Sequence, residues 1–118
     1  MLSGAKILIV EDEFLIADVA AELLGELGAT VVGPAANIAQ AKAEIEKGGL
    51  DGALLDMNLN GERSDPLMVL LKARNIPFVI ASGYGSHLAP EGATVLEKPY
   101  SMEALGAAFA QVLPSPLS

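Results

Sequence analysis

The chain has 118 residues and 12.1 kDa, 52% of them hydrophobic, and 7 Lys+Arg against 15 Asp+Glu give a formal net charge of −8. That length fits one domain of common size, the mean hydropathy of +0.45 excludes a disordered chain, and the acidic balance excludes a surface built to wrap nucleic acid, which needs clustered Lys and Arg. Zero Cys removes disulfides, thiolate metal sites and thiol nucleophiles, and no apolar run approaches the roughly 20 residues of a membrane span, so the expectation is a small, acidic, soluble domain of the cytoplasm, with neither nucleic acid nor membrane as a partner.

Ile7–Val10 is the first apolar run, and Lys6 with four apolar residues before Glu11 is too little for a signal peptide. A helix is predicted over Glu13–Leu27, with Ile16, Ala20, Leu23 and Leu27 turned inward and Gly28 as its stop. Thr30–Val32 is the second strand. The second helix starts at Asn37, with Gln40 as a capping-box partner, and ends at Gly48-Gly49. Ala53–Leu55 is the third strand, and Asp65 as N-cap with Pro66 at the first helical position opens a helix to about Arg74. Phe78–Ala81 and Thr94–Leu96 are the fourth and fifth strands. Between them, Tyr84–Ala93 contains Gly85, Pro90 and Gly92, which predicts a loop or a short, mobile fourth helix. The last helix starts at Ser101 and carries Met102, Leu105, Phe109 and Val112 on one face, until Pro114 and Pro116 end it.

The five runs are continuous rather than alternating, as expected for strands covered on both faces, and helices separate them. The predicted fold is therefore a doubly wound α/β domain, a five-stranded parallel sheet in the order 2-1-3-4-5. It is expected to span residues 1–118 as one domain, with 113–118 a frayed tail.

In such a sheet the functional crevice lies beyond the C-terminal ends of the strands. Glu11 and Asp12 follow the first run, Asp56 the third, Ser82 the fourth and Lys98 the fifth. Singly, an acidic residue at a strand end reads as a turn or a cap. Jointly, three clustered carboxylates repel one another unless a cation sits between them. An oxygen-only set without His or Cys suits a hard ion such as Mg²⁺. One Lys is too little to neutralise the cluster and is better placed for an incoming anion.

Four segments carry a resemblance: Val10-Glu11-Asp12-Glu13, Asp56, Ala81-Ser82-Gly83 and Lys98-Pro99-Tyr100, in this order and at these spacings. The chain resembles the receiver domain of two-component response regulators over essentially its whole length, in the single-domain layout of the chemotaxis regulator. The resemblance implies that Asp56 is the phosphoacceptor and that Asp12 and Asp56 ligate Mg²⁺ directly. Glu11 would act through water, and the backbone carbonyl of Asn58 would complete the protein share. It further implies that Lys98 pairs with the phosphoryl oxygens, that Ser82 donates a hydrogen bond to them, and that the Lys98-Pro99 bond is cis. Such a domain is no enzyme beyond its own phosphoryl transfer and dephosphorylation. Its implied partners are a sensor histidine kinase or histidine phosphotransfer protein, a downstream protein partner, and at most a weak homodimer.

The departures are specific. Val95 stands where the family usually has an aromatic residue three positions before the Lys, so the usual aromatic switch is either absent or relocated to Tyr84 or Tyr100. Met57-Asn58-Leu59-Asn60-Gly61 lacks the family's frequent Pro, and Ser82 replaces the commoner Thr. Pro77-Phe78-Val79-Ile80-Ala81-Ser82-Gly83 resembles a Pro-Phe-x-Phe-Ala-Thr-Gly subfamily signature, differing at Ile80 and Ser82. That subfamily consists mainly of single-domain receivers with a reduced fourth helix, often paired with kinases of the HWE or a related class.

Two other readings compete with it. An aspartyl-nucleophile phosphohydrolase usually has a second Asp two residues after the first, where this chain has Asn58. A phosphorylation-independent interaction module would not need all five site residues. Gly83-Tyr84-Gly85 lacks the third Gly of a dinucleotide fingerprint, and Gly28 to Gly33 lacks the Lys-Ser/Thr of a P-loop. His87, the one His, has no second His or Cys with which to hold a metal.

Overall fold

Residues 2–59, 61–83 and 93–113 are described by a computed structural model. Their order is β1 (Lys6–Val10), α1 (Phe14–Glu26), β2 (Thr30–Ala35), α2 (Ile38–Lys47), β3 (Gly52–Asp56), β4 (Asn58–Leu59), β5 (Glu62–Arg63), α3 (Asp65–Ala73), β6 (Phe78–Ser82), β7 (Val95–Glu97) and α4 (Met102–Val112). The five long strands form one parallel sheet in the order β2-β1-β3-β6-β7. This is the expected 2-1-3-4-5 arrangement, because β4 and β5 stand apart as a two-stranded antiparallel hairpin. The short fourth helix expected within Tyr84–Ala93 and the tail from Pro114 fall outside the described residues.

Successive strand residues point to opposite faces, and both faces are dry. Leu8, Val10, Ala53, Leu55 and Ile80 face α2 and α3 through Ala41, Ile45, Leu67, Met68 and Leu71. Ile7, Ile9, Leu54, Val79 and Ala81 face α1 and α4 through Ala17, Ala20, Leu24, Leu105 and Phe109. Each fully buried large apolar side chain contributes roughly 1.5–3 kcal/mol. That two-sided burial explains why the strands read as unbroken apolar runs.

Three local expectations shift by about one residue. In α1 the buried residues are Ala17, Ala20 and Leu24, while Ile16, Leu23 and Leu27 are half-buried. Apolar residues surround nearly the whole helix, and the two alanines let it lie close to the sheet. At α2 the Asn37 side chain accepts from Gln40 N as expected, but Gln40 Oε1 accepts from Ala36 N at 2.8 Å rather than from the cap residue itself. At α3 the N-cap is Ser64, and Asp65 is the first helical residue. The Asp65 carboxylate is held by Arg63, whose Nε and Nη2 donate to it at 2.6 and 3.3 Å. Those hydrogen bonds, from a charged partner, hold the carboxyl below its usual range.

Candidate functional site

Between β1 and β3 the strand order reverses, and the two C-terminal ends open a crevice. Glu11 and Asp12 leave β1, and the Glu11 amide still donates to Ala35 O of β2 at 2.9 Å. Asp56 ends β3 opposite Ala81 of β6. Ligand oxygens of Glu11, Asp12 and Asp56 all lie within 4.8 Å of one another. All three are therefore brought together as the sequence order implied.

Lys98 reaches this cluster from the residue after β7. Its Nζ donates to Glu11 Oε1 at 2.9 Å and lies 3.3 Å from Asp56 Oδ2. The Lys98 amide donates to Ser82 O at 3.0 Å, so the two strand ends that supply Ser82 and Lys98 are bonded directly. The Lys98-Pro99 bond is cis, as the resemblance implied, and so is Gly33-Pro34. Ser82 is 2% exposed at the end of β6. Val95 is half-buried and packs on the α2–α3 side of the sheet, beside Ile80. Tyr100 is half-buried against the α1–α4 layer. Tyr84 and His87 fall outside the described residues.

Burial and charge act together on these groups. Glu11, only 5% exposed, is pushed up from 4.5 to about 7. Burial is the chief cause, the Lys98 hydrogen bond opposes it, and the charge of Asp56 adds to it. Lys98 is raised: desolvation works against its charge, but the Glu11 hydrogen bond and the two carboxylates outweigh it. Burial, followed by the Glu11 charge, pushes the Tyr100 phenol up to about 12. Of three carboxylates within 4.8 Å of one another, Glu11 and Asp56 share the Lys98 ammonium, and a hard cation would supply what the cluster lacks. The donor set, all oxygen, fits Mg²⁺.

The backbone after Asp56 is shaped by the same carboxylate. Asp56 Oδ1 accepts from Asn58 N at 3.3 Å, and Asn58 Oδ1 accepts from Gly61 N at 2.8 Å. Asn58 then pairs with Arg63 and Leu59 with Glu62. Sequence reasoning missed this hairpin, although Asn60-Gly61 between two residue pairs is the usual two-residue hairpin signal. Gly61 takes the positive φ of 88° that such a turn demands.

No family model matches the chain, and no curated protein does. Solved structures do. SdrG from Sphingomonas melonis Fr1 is 43% identical, with 93% of this chain and 97% of that chain covered at a TM-score of 0.80. The BeF3-activated conformation of SdrG from Pseudomonas melonis Fr1 matches at the same identity and coverage, with a TM-score of 0.77. The PhyR response regulator REC domain of Erythrobacter litoralis is 25% identical over 99% of this chain and 98% of that one, with a TM-score of 0.82. With the five-stranded parallel sheet, the crevice at its switch point and near-complete coverage of SdrG, the chain belongs to the response-regulator receiver domains.

Proposed function

We propose that this domain accepts a phosphoryl group on Asp56 from a phosphohistidine, borne by a sensor histidine kinase or a histidine phosphotransfer protein, with Mg²⁺ as cofactor. The observation that carries the reading is the meeting of Glu11, Asp12 and Asp56 within 4.8 Å, with the Lys98 ammonium 3.3 Å from Asp56. Asp12 and Asp56 would hold the ion directly, Glu11 through water, and the Asn58 carbonyl would complete the protein's share. Bound there, Mg²⁺ would offset charge on the phosphoryl group.

The protein's own residues do the rest. An Asp56 carboxylate oxygen forms the bond to phosphorus as the phosphorus–nitrogen bond of the donor breaks, and the imidazole leaves as a neutral ring that keeps the proton already on its other nitrogen. Lys98 exchanges its carboxylate contacts for the incoming phosphoryl oxygens, and the Ser82 hydroxyl donates to the same group. Each domain accepts one phosphoryl group and, on hydrolysis of that acyl phosphate, recovers its free Asp56 carboxylate. A 43%-identical relative that has a BeF3-activated conformation supports an acyl-phosphate chemistry here. Output would be a protein contact, and the reading carries a cytoplasmic location with it; no helix among the described residues is long and apolar enough to cross a membrane.

Calorimetric titration with beryllofluoride tests this reading. Binding should require Mg²⁺ and should vanish in Asp56→Asn, which removes the acceptor oxygen's charge while keeping its shape. Equal binding by parent and variant would reject Asp56 as the acceptor.

A further inference from the structure

Ser64 is fully buried, and its Oγ has no hydrogen-bond partner among the described residues. A buried hydroxyl without a partner forfeits its hydration and gains nothing in return. Its place makes the omission odd. Ser64 is the N-cap of α3, where a Ser side chain ordinarily accepts from the amide three residues on. Ser101 does this at α4, accepting from Ala104 N at 3.0 Å with ψ 167°, and Asn37 does it at α2 with ψ 173°. Ser64 has ψ 11° instead, and Leu67 N donates to its carbonyl at 2.9 Å, not to its hydroxyl.

What holds Ser64 in this backbone is a chain of hydrogen bonds beginning at the acceptor. Asp56 Oδ1 accepts from Asn58 N at 3.3 Å, Asn58 pairs with Arg63 across the hairpin, and Met57 O accepts from Ser64 N at 3.0 Å. In sequence the links run from the end of β3 through the hairpin to Ser64, the N-cap of α3. A phosphoryl group on Asp56, with the Asn58 carbonyl turned to a cation, competes with the first of these bonds.

The geometry points to Ser64 as a positioning residue with two arrangements: uncapped in the resting domain, and capping Leu67 N when Asp56 is modified. This rests on the acceptor reading of Asp56 given above. The resting domain leaves a hydrogen bond unmade at α3, and modification of Asp56 releases the backbone so that the bond forms. The cap therefore favours the modified state without touching the phosphoryl group or the ion.

The test compares parent and Ser64→Ala, an apolar near-isostere. Thermal unfolding of the resting proteins should give a variant equal to or more stable than the parent, because no hydrogen bond is lost. Affinity for beryllofluoride with Mg²⁺ should fall about fivefold, the usual worth of a Ser cap. The Leu67 amide resonance should move on beryllofluoride binding in the parent and stay in place in Ser64→Ala. Ser64→Thr, which keeps the hydroxyl, should restore that movement. A resting Ser64→Ala less stable than the parent would overturn the proposal, as would equal beryllofluoride affinity in the two proteins. A parent that binds no beryllofluoride defeats the acceptor reading and the cap with it, whereas a responding parent matched by Ser64→Ala defeats the cap alone.

Discussion

Glu11 shows what it costs this domain to assemble its crevice. It is nearly buried, beside Asp56, and raised to about 7 chiefly by desolvation. The folded protein therefore keeps a proton on Glu11 that the unfolded chain releases above about 4.5. Stability from this group is complete below that value and is lost as pH rises towards about 7. In Mg²⁺-free buffer the urea midpoint of the parent should fall across this window more steeply than that of Glu11→Gln, which cannot ionise. Parallel profiles would show that Glu11 titrates as an exposed carboxylate does. At this scale the sequence was readily legible, because each of Glu11, Asp12, Asp56 and Ser82 closes or follows an apolar run, and Lys98 stands two residues beyond the last run, after Glu97. Ser64 was not legible. It sits next to Asp65, both are good caps, and the Arg63 fork that occupies the Asp65 carboxylate is a tertiary feature the sequence does not show.

Among the elements, the run Thr30–Val32 correctly marks β2, but the strand continues through Gly33 and Pro34 to Ala35. Gly33 makes that continuation possible. Its φ is +96°, and a Cβ there would lie 2.9 Å from both Ala35 N and Ile9 O, which are backbone atoms of β2 and β1. Neither can swing aside as a side chain does. Gly33→Ala should therefore destabilise the domain by about 1–3 kcal/mol, read from urea unfolding. An unchanged midpoint would mean that the β1–β2 register slips without loss. Helix α1 was legible in extent and not in orientation. Phe14, Leu15 and Val19 remain exposed on it although their hydropathy matches the buried positions. A stripe can be read from sequence only where polar residues bound it, and here few do. The hairpin β4–β5 was missed because two-residue strands carry no periodicity; its turn chemistry was the only signal.

As a whole, the molecule is two apolar layers on a sheet whose one reversal of strand order gathers the polar groups. The topology was legible because continuous apolar runs separated by helices admit few arrangements, and the site followed from it. The proposed role of this assembly is to make one carboxylate, Asp56, a phosphoryl acceptor. Incubation with acetyl phosphate and Mg²⁺, followed by intact-mass measurement and borohydride trapping of the acyl phosphate, tests it most directly. A single added phosphoryl group is expected, trapped at Asp56, dependent on Mg²⁺ and absent from Asp56→Asn. Trapping at Asp12, or an undiminished increment in Asp56→Asn, would contradict it.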